Sequence, residues 1–336
     1  MLTVSGAHAS RIFDVNPVTS GSVVDIESLT LANGIATGNG GAIRNQDAAL
    51  KVFDSVLTGN TAGKGGAIYE AGDYPSAKNT RVGFSTLREN VANDDGGAIY
   101  GRYATGSVYS STLSGNHAGH YGGAVWGGYS YPSYFSNSTI AGNSGGYVGG
   151  IYTSNPLNRD YLYNTIVGDN HNTLVADNVI PPDVAGGGFY AESSLIETPG
   201  TATITQVGSV PNLIGVDPQL RPLALNGGDM PTMKPAATSP VVDIGLSGNG
   251  NDQRGFSRPV DNPNVANGPG GDGGDIGAVE LTLGEGPQAA VTPTPEPTPL
   301  PTPEPTPLPA PHKCKKKKKH HAASSAKKKH CKKKKR

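Results

Sequence analysis

The residues whose types and spacing come nearest to a catalytic set are the adjacent carboxylates Asp94 and Asp95 and, farther along, His120. A glycoside hydrolase needs two carboxyl groups roughly 5–10 Å apart across the bond it cleaves. A polysaccharide lyase needs carboxylates gathered around Ca²⁺ and a base near the substrate's acidic proton. Arg81, Arg88 and Arg102 could supply that base, but no cluster of aspartates surrounds them in the sequence. Asp252, Asp272, Asp275 and Asn249 lie in glycine-rich stretches and could ligate Ca²⁺. Their spacing follows no known calcium loop, and Asp and Asn seed turns without any ion. We therefore expect no metal site and no cofactor. Asp94, Asp95 and His120 stand as weak catalytic candidates, and the balance favours a chain that is not an enzyme.

These residues are positioned by a repeat. The phrase Gly40-Gly-Ala-Ile returns as Gly65-Gly-Ala-Ile, Gly96-Gly-Ala-Ile, Gly122-Gly-Ala-Val and Gly149-Gly-Ile, at separations of 25, 31, 26 and 27 residues. A second phrase precedes it: Ser55-Val-Leu-Thr-Gly-Asn60, Ser85-Thr-Leu-Arg-Glu-Asn90, Ser111-Thr-Leu-Ser-Gly-Asn116 and Ser138-Thr-Ile-Ala-Gly-Asn143. A looser copy, Asn164-Thr-Ile-Val-Gly-Asp169, follows. A fixed period of this size means a solenoid or a propeller, and propeller blades need roughly 40 residues for four strands. With 48 glycines in 336 residues, helical repeats are excluded, because each interior Gly costs a helix roughly 1 kcal/mol. The spacing predicts one coil of a parallel β-helix per repeat, with three short strands joined by turns.

Stacked coils place equivalent residues above one another. Leu57, Leu87, Leu113, Ile140 and Ile166 are expected to form one inward column, and Ile43, Ile68, Ile99, Val125 and Ile151 another. Asn60, Asn90, Asn116 and Asn143 fall at one turn, where side-chain amides can ladder. The paired glycines mark a corner that a Cβ would obstruct. Thirteen of the 14 tyrosines lie between Tyr69 and Tyr163. Tyr69, Tyr100, Trp126 and Tyr152 each follow the aliphatic residue of the Gly-Gly phrase, so alternation predicts them outward as an exposed stack. Such a row could bind a glycan chain or a protein partner, or it could simply shield the sheet.

The formal net charge of zero hides a division. Residues 312–336 carry 14 of the 27 Lys and Arg and no acid, leaving 13 bases against 27 acids in residues 1–311. Both cysteines, Cys314 and Cys331, lie in that tail, so the body uses no disulfide. Ahead of the tail runs Thr292-Pro-Thr-Pro-Glu-Pro and its near copy through Pro311. Twenty residues of polyproline conformation would span about 60 Å as a semi-rigid stalk. The lysine blocks attract polyanions but have no aromatic residues for stacking on bases, which argues against sequence-specific nucleic-acid recognition. No stretch is apolar enough to cross a membrane as a helix. Met1-Leu-Thr-Val-Ser-Gly has neither the basic nor the apolar region of a secretory signal and reads as a strand in progress, so we expect the chain to begin within a longer gene product.

The paired S-T-L-x-x-N and G-G-A-I phrases resemble the coils of right-handed parallel β-helix proteins of the pectin-lyase-like fold, and in particular the repeats of polymorphic outer-membrane proteins and bacterial surface β-helices. Downstream, Asn212-Leu-Ile-Gly-Val-Asp-Pro-Gln-Leu220, Leu225-Asn-Gly-Gly228, Ser239-Pro-Val-Val-Asp-Ile-Gly245, Asp252-Gln-Arg-Gly-Phe256, Arg258-Pro259 and Asp275-Ile-Gly-Ala-Val-Glu280 follow in an order that resembles the choice-of-anchor Q region of such bacterial proteins. Asp94-Asp95 followed by Gly119-His120-Tyr121-Gly122 is similar in order to a polygalacturonase site, but no Asn-Thr-Asp precedes it and no Arg-Ile-Lys follows. The resemblance implies an all-β chain with β-helix repeats over 1–190 and a β-rich closing region over 191–282, and composition adds a Pro/Thr-rich linker over 283–311 and a disordered basic tail over 312–336. The resemblance implies an exported, surface-displayed structural or adhesin-like module at the cell surface, and the stalk and lysine blocks point to a tail held by a polyanionic envelope component. A polysaccharide lyase or glycoside hydrolase is the alternative.

Overall fold

A repeat this rich in Gly, Ser, Thr and Asn offers only two or three apolar positions per strand. Its strands can bury them only by stacking coil on coil. The computed structural model describes residues 1–16, 22–70, 72, 80–102, 106–128, 132–155, 159–174 and 182–288. The linker beyond residue 288, the basic tail, Cys314 and Cys331 lie outside the described residues. Among the described residues, the regular elements are all strands, and most fall in four parallel sheets of nine, eight, seven and five strands. The chain is an all-β parallel β-solenoid.

One coil shows the plan. Val56–Thr58 lies in the nine-stranded sheet (hereafter the leucine sheet) and Thr61–Ala62 in the five-stranded short sheet. Ile68–Glu70 lies in the seven-stranded isoleucine sheet and Arg81–Gly83 in the eight-stranded tyrosine sheet. A coil thus holds four strands rather than the expected three, because the bend at Asn60 leaves two residues that pair in parallel before the glycine corner. At that corner Gly65 has φ +61°, and a Cβ there would run into the carbonyl of Ile68. A Cβ on Gly66 would meet the carbonyl of Gly97 in the next coil. Both glycines are therefore set by close backbone approach.

The inward columns are largely as expected. Ile43, Ile68, Ile99, Val125 and Ile151 pair in register and are fully buried. Leu57, Leu87, Leu113 and Ile140 do the same, but the next member is Val167, not Ile166. The looser copy is slipped by one position, which turns Ile166 to the outer face. There it is buried against Val241 and Ile276 of the closing region.

The same slip extends the asparagine ladder beyond the expected four. Asn116 donates from Nδ2 to Leu87 O at 3.0 Å and to Asn143 Oδ1 at 2.8 Å, and its own Oδ1 accepts from Asn90 N at 3.1 Å and Asn90 Nδ2 at 2.9 Å. Asn90 and Asn143 repeat the pattern, Asn60 repeats its donor half with its Oδ1 accepting from Gly34 N, and Asn170 forms the final rung, donating to Asp183 Oδ1 at 2.8 Å. A second ladder runs through the serines: the backbone N of Ser55, Ser85 and Ser111 each donates to the hydroxyl of Ser85, Ser111 and Ser138 in the following coil.

The closing region does more than end the stack. After the last coil strand, Leu213–Ile214, the chain returns along the outer face of the leucine sheet. The threonines of the Ser-Thr-Leu phrase point outward and are clasped there. Thr86 Oγ1 donates to Pro231 O at 2.7 Å, Thr112 Oγ1 meets Gln253 Oε1 at 2.5 Å, and Thr139 Oγ1 accepts from Ala278 N at 3.0 Å. Gln253 Nε2 donates to Ser85 O and Thr86 Oγ1.

Replacing Asn116 by Ala should leave several buried donors and acceptors without partners, at about 1–3 kcal/mol each. The expected loss is about 3 kcal/mol or more in urea unfolding of the purified chain; a change under about 1 kcal/mol would mean the ladder does not hold the coils together.

Candidate functional site

The glycine corner feeds straight into the isoleucine sheet, so the residue after each inward aliphatic faces out. Tyr69, Tyr100, Trp126 and Tyr152 are accordingly in register on successive coils. The rings of Tyr69 and Tyr100 lie 5.2 Å apart at 12°, and those of Tyr100 and Trp126 lie 4.2 Å apart at 5°. Their exposure is less than alternation alone predicts: Tyr100 and Trp126 retain only 7% and 5%. The Tyr100 ring is covered by Tyr69 on one side and Trp126 on the other, and the partly buried members at the ends of the row, Tyr69 and Tyr152, are the ones that reach solvent. Tyr121 adds to the strip, packing at 4.5 Å from Tyr152 and 4.9 Å from the exposed Tyr147.

The catalytic candidates sit beside this strip. Backbone bonds from Asp94 N to Gly63 O, His120 N to Asp94 O and Tyr147 N to His120 O, each 2.8 Å, stack Asp94, His120 and Tyr147 on successive coils. The structure thus brings exposed Asp94 and His120 together. Asp95 is committed elsewhere: its Oδ2 pairs with Lys64 Nζ at 2.9 Å and its Oδ1 accepts from Tyr121 N at 3.3 Å. Lys64 in turn lies 4.8 Å over the Tyr100 ring. Arg88 pairs with Glu89 at 3.0 Å, and Arg81 is exposed on the tyrosine sheet.

The aspartates of the closing region act as turn and ion-pair acceptors. Asp272 accepts from Ser247 N, Gly248 N and Gly274 N at 2.7–3.1 Å. Asp275 accepts from Asp243 N and Leu281 N. Asp252 accepts from Arg254 N, Phe256 N and Glu280 N and pairs with Arg254 Nε at 2.8 Å. Burial raises the Asp275 carboxyl to about 7, with Glu280 adding repulsion.

Two features were missed in the sequence. Asp169, Glu197 and Asp217 bring carboxylate oxygens within 4.8 Å of one another, an arrangement that could accept a hard cation. They come from separate coils and turns, and only the slipped register of the Ile166–Gly168 strand aligns them. The second feature is a tyrosine column on the eight-stranded sheet, Tyr134, Tyr161 and Tyr190, whose rings follow one another at 4.8 and 5.2 Å. The loops that lead into these strands vary in length, but each tyrosine stands four residues before the next serine-ladder position, Ser138, Thr165 or Ser194, and that constant offset was the signal available in the sequence.

Residues 54–69 match the family model of the Chlamydia polymorphic membrane protein (Chlamydia_PMP) repeat. The match contains the first complete Ser-x-Leu-x-x-Asn and Gly-Gly-Ala-Ile pair, on the coil that carries Asn60 and Tyr69. No curated protein and no solved structure matches the chain.

Three interior carboxyls are electrostatically unusual. Burial raises Glu70 to about 7, although Thr80 Oγ1 and Asn45 Nδ2 both donate to it at 2.6 Å. Burial likewise raises Asp160 to about 6, against donation from Ser133 N and the Thr153 hydroxyl. Asp183, at the end of the ladder, is raised to about 7 by burial. In the unfolded chain these groups titrate near 4, so between about pH 4 and 7 the folded state binds more protons. Their contribution is complete below that window and is lost as pH rises through it. Thermal unfolding should therefore occur at a higher temperature at pH 5 than at pH 8, and Glu70→Gln should flatten that difference; a midpoint that rises towards pH 8 would contradict the assignment.

Proposed function

We propose that the chain is a surface-displayed structural or adhesin-like β-helix module of the pectin-lyase-like class. In this reading the closing region is of the choice-of-anchor Q type, and the basic tail retains the molecule at a polyanionic envelope component. The observation that carries the proposal is the match of residues 54–69 to a polymorphic membrane protein repeat, in a coil repeated along the solenoid. The side-chain chemistry supports it. Asp95, Asp252, Asp272 and Asp275 hold corners, turns and ion pairs. The charge division supports retention by the tail, because a lysine run placed on an acidic body attracts polyanions in a salt-dependent way. Within this reading the strip of Tyr69, Tyr100, Trp126 and Tyr152 contacts a glycan or cell-surface polymer through the outer rings and ring edges.

The alternative, a polysaccharide lyase or glycoside hydrolase, is favoured by one arrangement: exposed Asp94 and His120 on adjoining coils beside Tyr147. One experiment separates the two. The full chain and residues 1–289 are incubated with bacterial walls and acidic polysaccharides, while unsaturated products are followed by ultraviolet absorbance and new reducing ends by a separate assay. Salt-sensitive retention of the full chain, loss of that retention without the tail, and no product are expected. Product released by residues 1–289 would overturn the structural reading and return attention to Asp94 and His120. In the same assay, Tyr69→Ala and Tyr152→Ala should weaken any retention that survives removal of the tail; unchanged retention would exclude the strip as the contact surface.

A further inference from the structure

Three phrases of the closing region, Asp252-Gln-Arg-Gly-Phe256, Arg258-Pro259 and Asp275-Ile-Gly-Ala-Val-Glu280, come together in space, and their members divide between two tasks. Gln253, Ile276, Gly277 and Ala278 touch the coils. Gln253 bonds to Ser85, Thr86 and Thr112, and Ile276 packs with Ile166 and Leu195. Gly277 N donates to Asn164 O at 2.9 Å, and Ala278 N donates to Thr139 Oγ1 at 3.0 Å. The residues that bracket them, Asp252, Arg254, Asp275 and Glu280, bond instead within the closing region, together with Arg258 and Asp243. All six are buried.

The charges in that interior do not balance, because four carboxyls share two guanidiniums. Arg254 Nε pairs with Asp252 at 2.8 Å, and Arg254 also reaches the partly exposed Glu285, which Lys234 holds at 2.9 Å. Arg258 Nε lies 3.4 Å from Glu280 Oε2. Among the described residues, no Lys or Arg pairs with Asp275 or Asp243. Asp275 accepts only from backbone donors, Asp243 N at 2.9 Å and Leu281 N at 2.7 Å, and Asp243 Oδ2 accepts from Asn262 N at 3.0 Å. Glu280 Oε2 accepts from Asp275 N at 3.0 Å, so a second carboxyl stands beside the one that lacks a cation. The attraction of Arg258 is divided among Glu280, Asp252, Asp275 and Asp272, and Asp261 repels Asp243. The coil residues in contact, Thr86, Thr112, Thr139, Asn164 and Ile166, carry no charge.

A buried carboxyl with no counter-charge and a like charge beside it favours its neutral form. We propose that the closing region is a proton-gated clasp: a proton on the Asp275 carboxyl holds it on the outer face of the leucine sheet, and loss of that proton frees it to open and uncover the threonine row. The two backbone donors favour the ionised form, but burial and then the repulsion of Glu280 outweigh them and raise Asp275 to about 7. Asp243 moves the same way, to about 6. In the opened region an aspartate titrates near 4, so the proton's contribution is complete below about pH 4 and is lost as pH rises through about 7. The clasp therefore closes on the acid side and opens on the alkaline side.

The test is hydrogen exchange of the full chain by mass spectrometry, expressed as protection factors so that the intrinsic pH dependence of exchange is divided out. Between about pH 5.5 and about pH 8.5, amides of residues 252–281 should lose protection about tenfold or more relative to those around Leu87 and Leu113 in the coils. Asp275→Asn is neutral at every pH, so the relative loss should vanish whatever level of protection remains. Carboxyl carbon NMR of the unaltered chain should show Asp275 titrating near 7, which decides the matter even where the variant folds poorly. A titration below about 5 overturns the proposal. So does a parallel loss of protection in the coils, since the opening is then global. A relative loss that persists in Asp275→Asn assigns the gate to another group and overturns it as well.

Discussion

The amide rung is the constraint on which the coil stack depends. An asparagine side chain has two donor hydrogens and one acceptor oxygen with two lone pairs, and in the interior of this turn all four are used. One donor returns to a leucine carbonyl one coil back and the other reaches the amide oxygen one coil on. A rung formed this way fixes the coil rise and the register together, because no neighbour one residue away offers the same pair of partners. The ends follow the same rule. Gly34 N donates to the first rung at 2.8 Å, and Asp183, which can only accept when ionised, takes the backbone N–H and one amide hydrogen of Asn170, whose other amide hydrogen goes to Ile140 O. Burial presses that carboxyl towards protonation while the amide donors hold it ionised, and its elevated titration reflects this competition.

Once the rise is fixed, everything at an equivalent position must stack, including residues that are poor candidates for it. The corner between the tyrosine and leucine sheets holds Asp54, Phe84, Ser110, Asn137, Asn164 and Ser193 in the left-handed region, with φ between 43° and 51°. Asn suits that conformation and Phe does not. Phe84 is kept there by the rungs on either side of its coil and by Tyr109, whose ring meets it edge-on at 5.7 Å. The outward threonines are a further consequence. A row of equally spaced hydroxyls on a bare sheet is an unused set of donors and acceptors, and the closing region uses them with Pro231, Gln253 and Ala278 in turn. The Ser-Thr-Leu phrase therefore serves three purposes: the serine joins a ladder, the threonine anchors the returning chain, and the leucine fills the core.

This division explains what could be read from the sequence. The period, the aliphatic columns and the first four asparagines were legible because stacking repeats both residue type and spacing. The slip at Ile166 was not, since a one-residue shift leaves the phrase recognisable while exchanging its inner and outer faces. Asn170 was hidden for the same reason. The clasp was invisible because Thr112 and Gln253 are far apart in sequence and their meeting has no period. The acidic group of Asp169, Glu197 and Asp217 was equally hidden, for it exists only once the slipped coil is in place. Among the candidate site residues, the spacing located Asp94 and His120 on one side of the solenoid but could not show that Asp95 is held by Lys64 and Tyr121.

The aromatic strip shows how stacking limits function as well as fold. A sugar packs on the face of an aromatic ring, and a ring in an isolated position offers two faces. In a solenoid whose coils are about 4.8 Å apart, parallel rings at equivalent positions cover one another, so the interior members keep only their edges and polar tips. Tyr100 and Trp126 are in that state. Contact with a polymer along such a strip must then come from the outer rings, from phenolic hydroxyls along the edge, and from residues such as Tyr147 that stand outside the column. The chemistry available is a periodic row of hydrogen-bonding groups rather than a series of stacking platforms. Such a row suits a ligand or protein surface that is itself extended along the coil axis, and it gives little purchase to a single small molecule.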